Sequence, residues 1–301
     1  MAEQVVVEVP DDLDGARVDK AISMLLEVSR ATAALVLESG VELDGVPVRA
    51  SNRVRPGQVI VCTRPDEATV LAPELVEFGV LYEDESLLVV DKPAGVVVHP
   101  GSGRSAGTLA AGLLHRYPEL AGVGTAGRWG LVHRLDKDTS GALLVARTED
   151  VFGALVEELR ARRIVRTYLT LVEGWMGAST GTIEAPIARD PAQPTRRTVT
   201  HTGKHARTHY QVIRYLEDAD VSLLEVTLET GRTHQIRVHL AAIDHPVAGD
   251  LVYGATRKDL GVPRTFLHAS RLDLDHPVTG ERLSVAAPTP PDLVAVLDRL
   301  C

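Results

Sequence analysis

Gly130-Leu-Val-His133-Arg134-Leu135-Asp136-Lys137-Asp138-Thr139-Ser140-Gly141 runs directly into the apolar pentad Ala142-Leu-Leu-Val-Ala146. A polar loop set against a short apolar run predicts charged side chains held on a rigid strand scaffold. Asp136 lies among His133, Arg134 and Lys137. A carboxylate positioned among cations suits a nucleophile or general base. The same spacing also suits a surface turn with local ion pairs.

Outward from that stretch, strand and helix patterns mix without a βαβ rhythm. Leu87 to Val90 reads as a buried strand, and Phe152, Leu155, Val156 and Leu159 mark one face of a helix. Thr167 to Val172 reads as a strand, and Leu224, Val226 and Leu228 alternate in another that leads to Gly231. Ile236, Leu240 and Ile243 recur on one helical face, and Pro291 opens a last helix with Leu293, Leu297 and Leu300 inward. The class this predicts is α+β, with a mixed, largely antiparallel sheet flanked by helices.

The first 65 residues follow a different plan. Val18, Ile22, Leu25 and Leu26 recur at helical spacing, and Ser29 suits the cap of a second helix over 30–39, ended by Gly40. Val41 and Leu43, then Val46 and Val48, alternate around Asp44-Gly45, a hairpin-turn pair. Pro56-Gly57 introduces a further strand over 58–63. This small α-α-β-β-β module suits binding better than catalysis. Residues 64–76 are polar and proline-punctuated, which suits a linker. Two domains are therefore expected, 1–75 and 76–301, as a length of 301 residues also favours.

Composition narrows the function. With 45% apolar residues the chain has material for real cores, yet no run approaches the ~18–20 apolar residues of a membrane span. Met1-Ala2-Glu3-Gln4 opens no secretory pattern, and two cysteines exclude a disulfide framework, so a cytoplasmic protein is expected. Net charge is −9, against a general polyanion binder. Basic stretches stand out locally: Arg160, Arg162, Arg163 and Arg166, then Arg189, Arg196, Arg197, Lys204, Arg207 and Arg214. They fit a defined nucleic-acid groove, or a solvated charged face.

Two further segments carry chemistry. Tyr168 follows Arg166 in a strand, either a stacking platform for a base or a core tyrosine. In Gly231-Arg232-Thr233-His234-Gln235-Ile236-Arg237, Gly231 and Thr233 suit a turn into a helix, where N–H groups favour an anion. Arg237 sits beside the apolar stripe rather than on it. His201, His205 and His209 are spaced i, i+4, i+8, but Gly203 interrupts any helix there, and no metal is expected. No nucleotide-binding glycine loop or G-x-S-x-G elbow occurs, so no cofactor is expected either.

In order, Asp91-Lys92-Pro93-Ala94-Gly95, His133 to Gly141, Arg166 with Tyr168, and Gly231 to Leu240 resemble the RluA family of pseudouridine synthases. Asp244-His-Pro246, Gly249-Asp250 and Tyr253-Gly254 continue the likeness, which runs from about Val80 to Val285. Arg17-Val-Asp19, Ser29-Arg30 and Gly40 to Gly45 resemble an S4-like RNA-binding domain. Gly181 to Ile187 and Thr208-His-Tyr210 look like the members that act on large-subunit ribosomal RNA.

The resemblance implies roles. Asp136 matches the catalytic aspartate, which engages a uridine so that its glycosidic bond breaks and the base rejoins through carbon 5 without metal or cofactor. Arg134 matches the residue that fills the stack when the nucleotide leaves it, Tyr168 the tyrosine against the base, and Arg237 the partner of the aspartate. His133 and Arg232 join them as substrate-binding candidates, and Lys92-Pro93 reads as structural. Arg166 stands where a lysine is common in the family. The expected partner is RNA, ribosomal and of the large subunit, bound by a monomer. Rival readings are a transfer-RNA synthase of the same family, a non-catalytic ribosome-assembly factor, and an RNA-cleaving enzyme using His133 or His234.

Overall fold

The computed structural model of the chain describes residues 3–26, 28, 33, 36–37, 39–64, 71–100, 106–125, 127–193 and 195–300. The chain divides into two compact units, Met1–Val76 with His99–Leu131, and Glu77–Val98 with Val132–Cys301. Residues 99–131, counted with the catalytic part in the sequence, thus group with the N-terminal segment.

In the first unit, β1 (Glu3–Glu8), β2 (Val41–Leu43), β3 (Val46–Pro47) and β4 (Val59–Arg64) form an antiparallel sheet in the order β1-β4-β2-β3. Strand β1 precedes the expected α-α-β-β-β order. Its register sets Val5 opposite Cys62 and Val7 opposite Ile60, so Val5 and Val7 pack on the core while Val6 faces solvent. Asp44 and Gly45 both have positive φ, 53° and 79°, the backbone that a two-residue hairpin turn needs. The helix Val18–Leu25 buries Val18, Ala21 and Ile22. The second helix expected over 30–39, with its cap at Ser29, lies largely outside the described residues, as do residues 65–70 of the expected linker. Another helix, Leu109–Arg116, starts at Thr108, whose Oγ1 accepts the Ala111 N–H at 3.3 Å.

The second unit is built on β5 (Gly79–Glu83), β6 (Leu87–Lys92), β7 (Ser140–Ala146), β8 (Val165–Glu173), β9 (Thr180–Glu184), β10 (Ile187–Arg189), β11 (Arg197–Val199), β12 (Arg207–Leu216), β13 (Val221–Leu228), β14 (Leu267–Asp275) and β15 (Arg282–Ala286). Nine of them make one sheet, β5-β6-β7-β14-β8-β13-β12-β9, with β15 on β14; β10 and β11 pair separately. Within the large sheet β7 and β14 run parallel and the other pairs antiparallel.

Every residue of β7 is buried, as its apolar run requires. Gly141 stands at φ 110°, where a Cβ would meet the Ala269 carbonyl oxygen at 2.2 Å, so β7 and β14 approach closely because glycine is there.

Helix Glu149–Arg160 begins at Thr148, whose side chain accepts the Val151 N–H. Helix Gln235–Ala242 differs from the one-sided helix expected: Gln235 to Leu240 are six consecutive buried residues. Helix Pro291–Leu300 turns Leu293 and Val296 inward, whereas Leu297 and Leu300 are half-buried. Among the described residues no helix is long and apolar enough to cross a membrane.

Candidate active site

The loop bearing Asp136 is fastened at successive carbonyls. Lys92 is fully buried at the end of β6, and its Nζ donates to the carbonyls of Pro93 (2.7 Å), Val96 (2.9 Å) and Lys137 (3.0 Å). Three acceptors match the three protons of an ammonium group, although burial pushes its pKa down to about 7. The Gly95 N–H donates to the same Lys137 carbonyl at 2.9 Å, and Arg264 Nη1 donates to the Asp138 carbonyl at 2.9 Å. Thr139 N–H donates to the Asp136 carbonyl at 3.2 Å. A short loop pinned at residues 136, 137 and 138 holds the Asp136 carboxylate in one place.

That carboxylate meets Arg237, whose Nη1 donates to Asp136 Oδ2 at 3.1 Å. On its other side Arg237 is gripped by Asp250, Nε to Oδ2 at 2.5 Å and Nη2 to Oδ1 at 2.9 Å. Burial opposes the charge on Arg237, but Asp250 and Asp136 outweigh it and hold its pKa above the ordinary value. Asp250 is 1% exposed and also accepts the N–H groups of Val252 and Tyr253.

His234, at φ 58°, leads into the helix that carries Arg237. Its Nδ1 lies 2.7 Å from the Tyr253 hydroxyl, which accepts the Arg197 N–H at 2.8 Å. One hydrogen bond thus joins His234 Nδ1 to that hydroxyl, and the ring's Nε2 lies 4.0 Å from Asp136 Oδ1. Burial lowers the His234 pKa, so the ring is neutral near pH 7. Among the described residues Asp136 Oδ1 accepts no hydrogen bond, and it is the oxygen open to a substrate.

All six candidate side chains, Asp136, Arg134, Tyr168, Arg237, His133 and Arg232, line one cleft of about 580 Å³. That volume suits a single small ligand or one extruded nucleotide. Tyr168 is buried in β8, and burial raises its pKa, so its hydroxyl stays protonated. Arg134 is exposed at the wall.

The other two take different parts from those expected. His133 Nε2 accepts the Leu144 N–H at 3.0 Å, and burial with the nearby Arg166 charge pushes its pKa down to about 3. It is a neutral strut between loop and strand. Arg232 is exposed at the cleft's edge, and its Nε donates to the His205 carbonyl at 3.0 Å, which ties the turn to the chain at His205. Gln235 staples the same turn, accepting from Thr230 and the Arg232 N–H and donating to the Arg207 carbonyl.

The basic stretches are less available than their charge implies. Arg160 pairs with Glu157, Arg162 with Glu229, Arg163 with Glu158, and Arg207 with both Glu184 and Glu229. Asp250 and Tyr253 were given no role in the sequence reading, and His234 only one in the RNA-cleaving alternative. The turn residues around Asp250 were visible there, but nothing marked its carboxylate as buried.

Residues 86–242 match the RNA pseudouridylate synthase family. An RNA pseudouridine synthase of Chloroflexus aurantiacus is 47% identical over 302 residues, 99% of this chain and 94% of that one. The chain belongs to the RNA pseudouridine synthase family. As a pseudouridine synthase it is an isomerase. Ribosomal large subunit pseudouridine synthase D of Nitrosomonas europaea is 41% identical over 303 residues, covering 97% of this synthase and 86% of that protein. Among solved structures, human RNA Pseudouridylate Synthase Domain Containing 1 aligns with a TM-score of 0.59 at 31% identity, over 74% of this synthase and 89% of the human chain.

Proposed function

We propose that this synthase converts uridines of large-subunit ribosomal RNA to pseudouridine, with Asp136 as its catalytic residue. The observation that carries the chemistry is the arrangement at Asp136: one carboxylate oxygen bound by Arg237, the other open to the cleft beside Tyr168. Reaction breaks the C1′–N1 bond of the target, turns the uracil and forms C1′–C5; the C5 hydrogen leaves as a proton and N1 gains one. Oδ1 of Asp136 engages the ribose side of the nucleoside. Arg237 keeps the carboxylate oriented, and Tyr168 supplies a flat apolar wall against which the base turns. A uridine in folded RNA must leave its stack to enter the cleft, and Arg134 at the exposed wall suits filling the gap.

Support for the ribosomal target is the name and 41% identity of the Nitrosomonas relative. We read residues 1–75 as an S4-like module. With 7 Lys and Arg against 13 Asp and Glu, its contribution is placement on a large RNA rather than bulk attraction. The RNA-cleaving alternative needs a protonated imidazole near neutral pH; His133 and His234 are both neutral there. The target is tested by mapping pseudouridines with carbodiimide and primer extension in a strain lacking the gene. Loss from large-subunit RNA supports the reading, and loss confined to transfer RNA overturns the target while leaving the chemistry.

A further inference from the structure

We propose that Arg166 is the seat of a phosphodiester subsite in the cleft wall, where it takes one backbone phosphate of the RNA beside the target uridine. This rests on the reading above that RNA enters the cleft. Arg166 lies in β8, two residues before Tyr168 and so on the same face of the strand. It lines the cleft yet is only 8% exposed. Its Nη2 donates to the Leu228 carbonyl at 3.3 Å, and its Nε is buried without a partner.

No carboxylate among the described residues lies within ion-pair distance of it. The neighbouring arginines differ: Arg160, Arg162 and Arg163 each hold a glutamate, and Arg237 holds two aspartates. A permanent guanidinium charge buried without a counter-charge is unfavourable unless something arrives to pair with it.

Gly231 makes room for this group. A Cβ at position 231 would lie 2.8 Å from Arg166 Nη1, so a side chain there would displace the guanidinium. The glycine of the Gly231–Arg237 turn therefore keeps the space into which the Arg166 fork projects. A uracil carbonyl would satisfy hydrogen bonds but leave the charge unpaired. A phosphodiester supplies both the charge and two oxygens at the spacing of the fork. Placement beside Tyr168 would fix the nucleotide's backbone while the base lies against the ring.

The test uses the full-length enzyme and an RNA from which it releases tritium at carbon 5. Arg166→Gln is expected to raise KM by about 10- to 100-fold with kcat within threefold, the mark of binding lost equally from ground and transition states. Its plot of log affinity against log salt should be shallower by roughly 0.7–0.9, the contribution of one phosphate. Arg166→Lys should recover part of the KM. Uncharged methylphosphonate, placed singly at the phosphates flanking the uridine, should reproduce the loss at one position in the wild type and add nothing in Arg166→Gln.

Arg166→Met, without RNA, should melt no lower than the wild type, because it removes an uncompensated buried charge. An unchanged KM and salt slope, or no sensitive phosphate, overturns the subsite. So does a lower melting temperature with unchanged KM, which marks a structural arginine. If Arg166→Gln fails to fold, the methylphosphonate scan on the wild type decides alone. A wild-type enzyme that releases no tritium from any RNA condemns the reaction assigned to the cleft instead, and the melting comparison still judges Arg166.

Discussion

Asp250 holds Arg237 at two points, and through that arginine it sets the orientation of Asp136 from the opposite side of the guanidinium. A bidentate pair fixes the plane of the fork as well as its position. Asp250→Asn keeps the volume but removes the charge and one acceptor. It is expected to lower kcat by about 10- to 100-fold, equivalent to ~1.4–2.8 kcal/mol of barrier, with little change in KM. A double-mutant cycle checks the route. In an Arg237→Lys background, where the fork is already lost, Asp250→Asn should cost less than threefold more. Full additivity would show that Asp250 does not act through Arg237.

Removal of Arg237 has a different consequence. Arg237→Ala strands the 1%-exposed Asp250 carboxylate without its partner, and breaking such a pair costs roughly 3–5 kcal/mol. Its melting temperature should fall well below that of Arg237→Lys. The pair Arg237→Met with Asp250→Asn should regain much of the stability and none of the activity. Recovery of activity in that double variant would contradict the role given to Arg237.

Acid stability reports on His133. Its folded pKa of about 3 lies below the ordinary ~6.5 of the unfolded chain, so between those values the unfolded state takes up a proton that the folded state refuses. Its contribution is whole above about pH 6.5 and is lost progressively as pH falls towards 3. Burial lowers His234, His239 and His268 too, and they act with the same sign. His133→Gln retains an acceptor for the Leu144 N–H and cannot titrate. Denaturant unfolding from pH 7 to 4.5 should show the wild type losing more stability than this variant, by about 1.4 kcal/mol per pH unit below 6.5. Parallel curves would mean that His133 is solvated.

Much of the site was legible because its residue types are informative in place. Asp136 sits in a polar loop before an apolar strand, and Arg237 three residues after the turn's His234. Asp250 was not, because a carboxylate in a turn reads the same whether it faces water or a buried guanidinium. The availability of the basic stretches was misjudged for a related reason. Their counter-charges, Glu157, Glu158, Glu184 and Glu229, come from a helix and from chain far away in sequence.

In the fold, the central strands announced themselves by apolar runs. The helix Gln235–Ala242 misled because its buried Gln235, Arg237 and His239 are satisfied by partners, and hydrophobic periodicity cannot register them. Strand β1 was passed over because only its partner β4 distinguishes the Val5–Val7 run from an apolar tail.

The central claim is that Asp136 drives uridine isomerisation in the cleft, and release of tritium from RNA labelled at carbon 5 of uridine tests it most directly. Wild-type enzyme should release tritium in step with pseudouridine formed. Asp136→Asn, equal in size but uncharged, should release it at least about 10³-fold more slowly while folding and binding RNA as before. Release by Asp136→Asn at a rate near the wild type's would contradict the account.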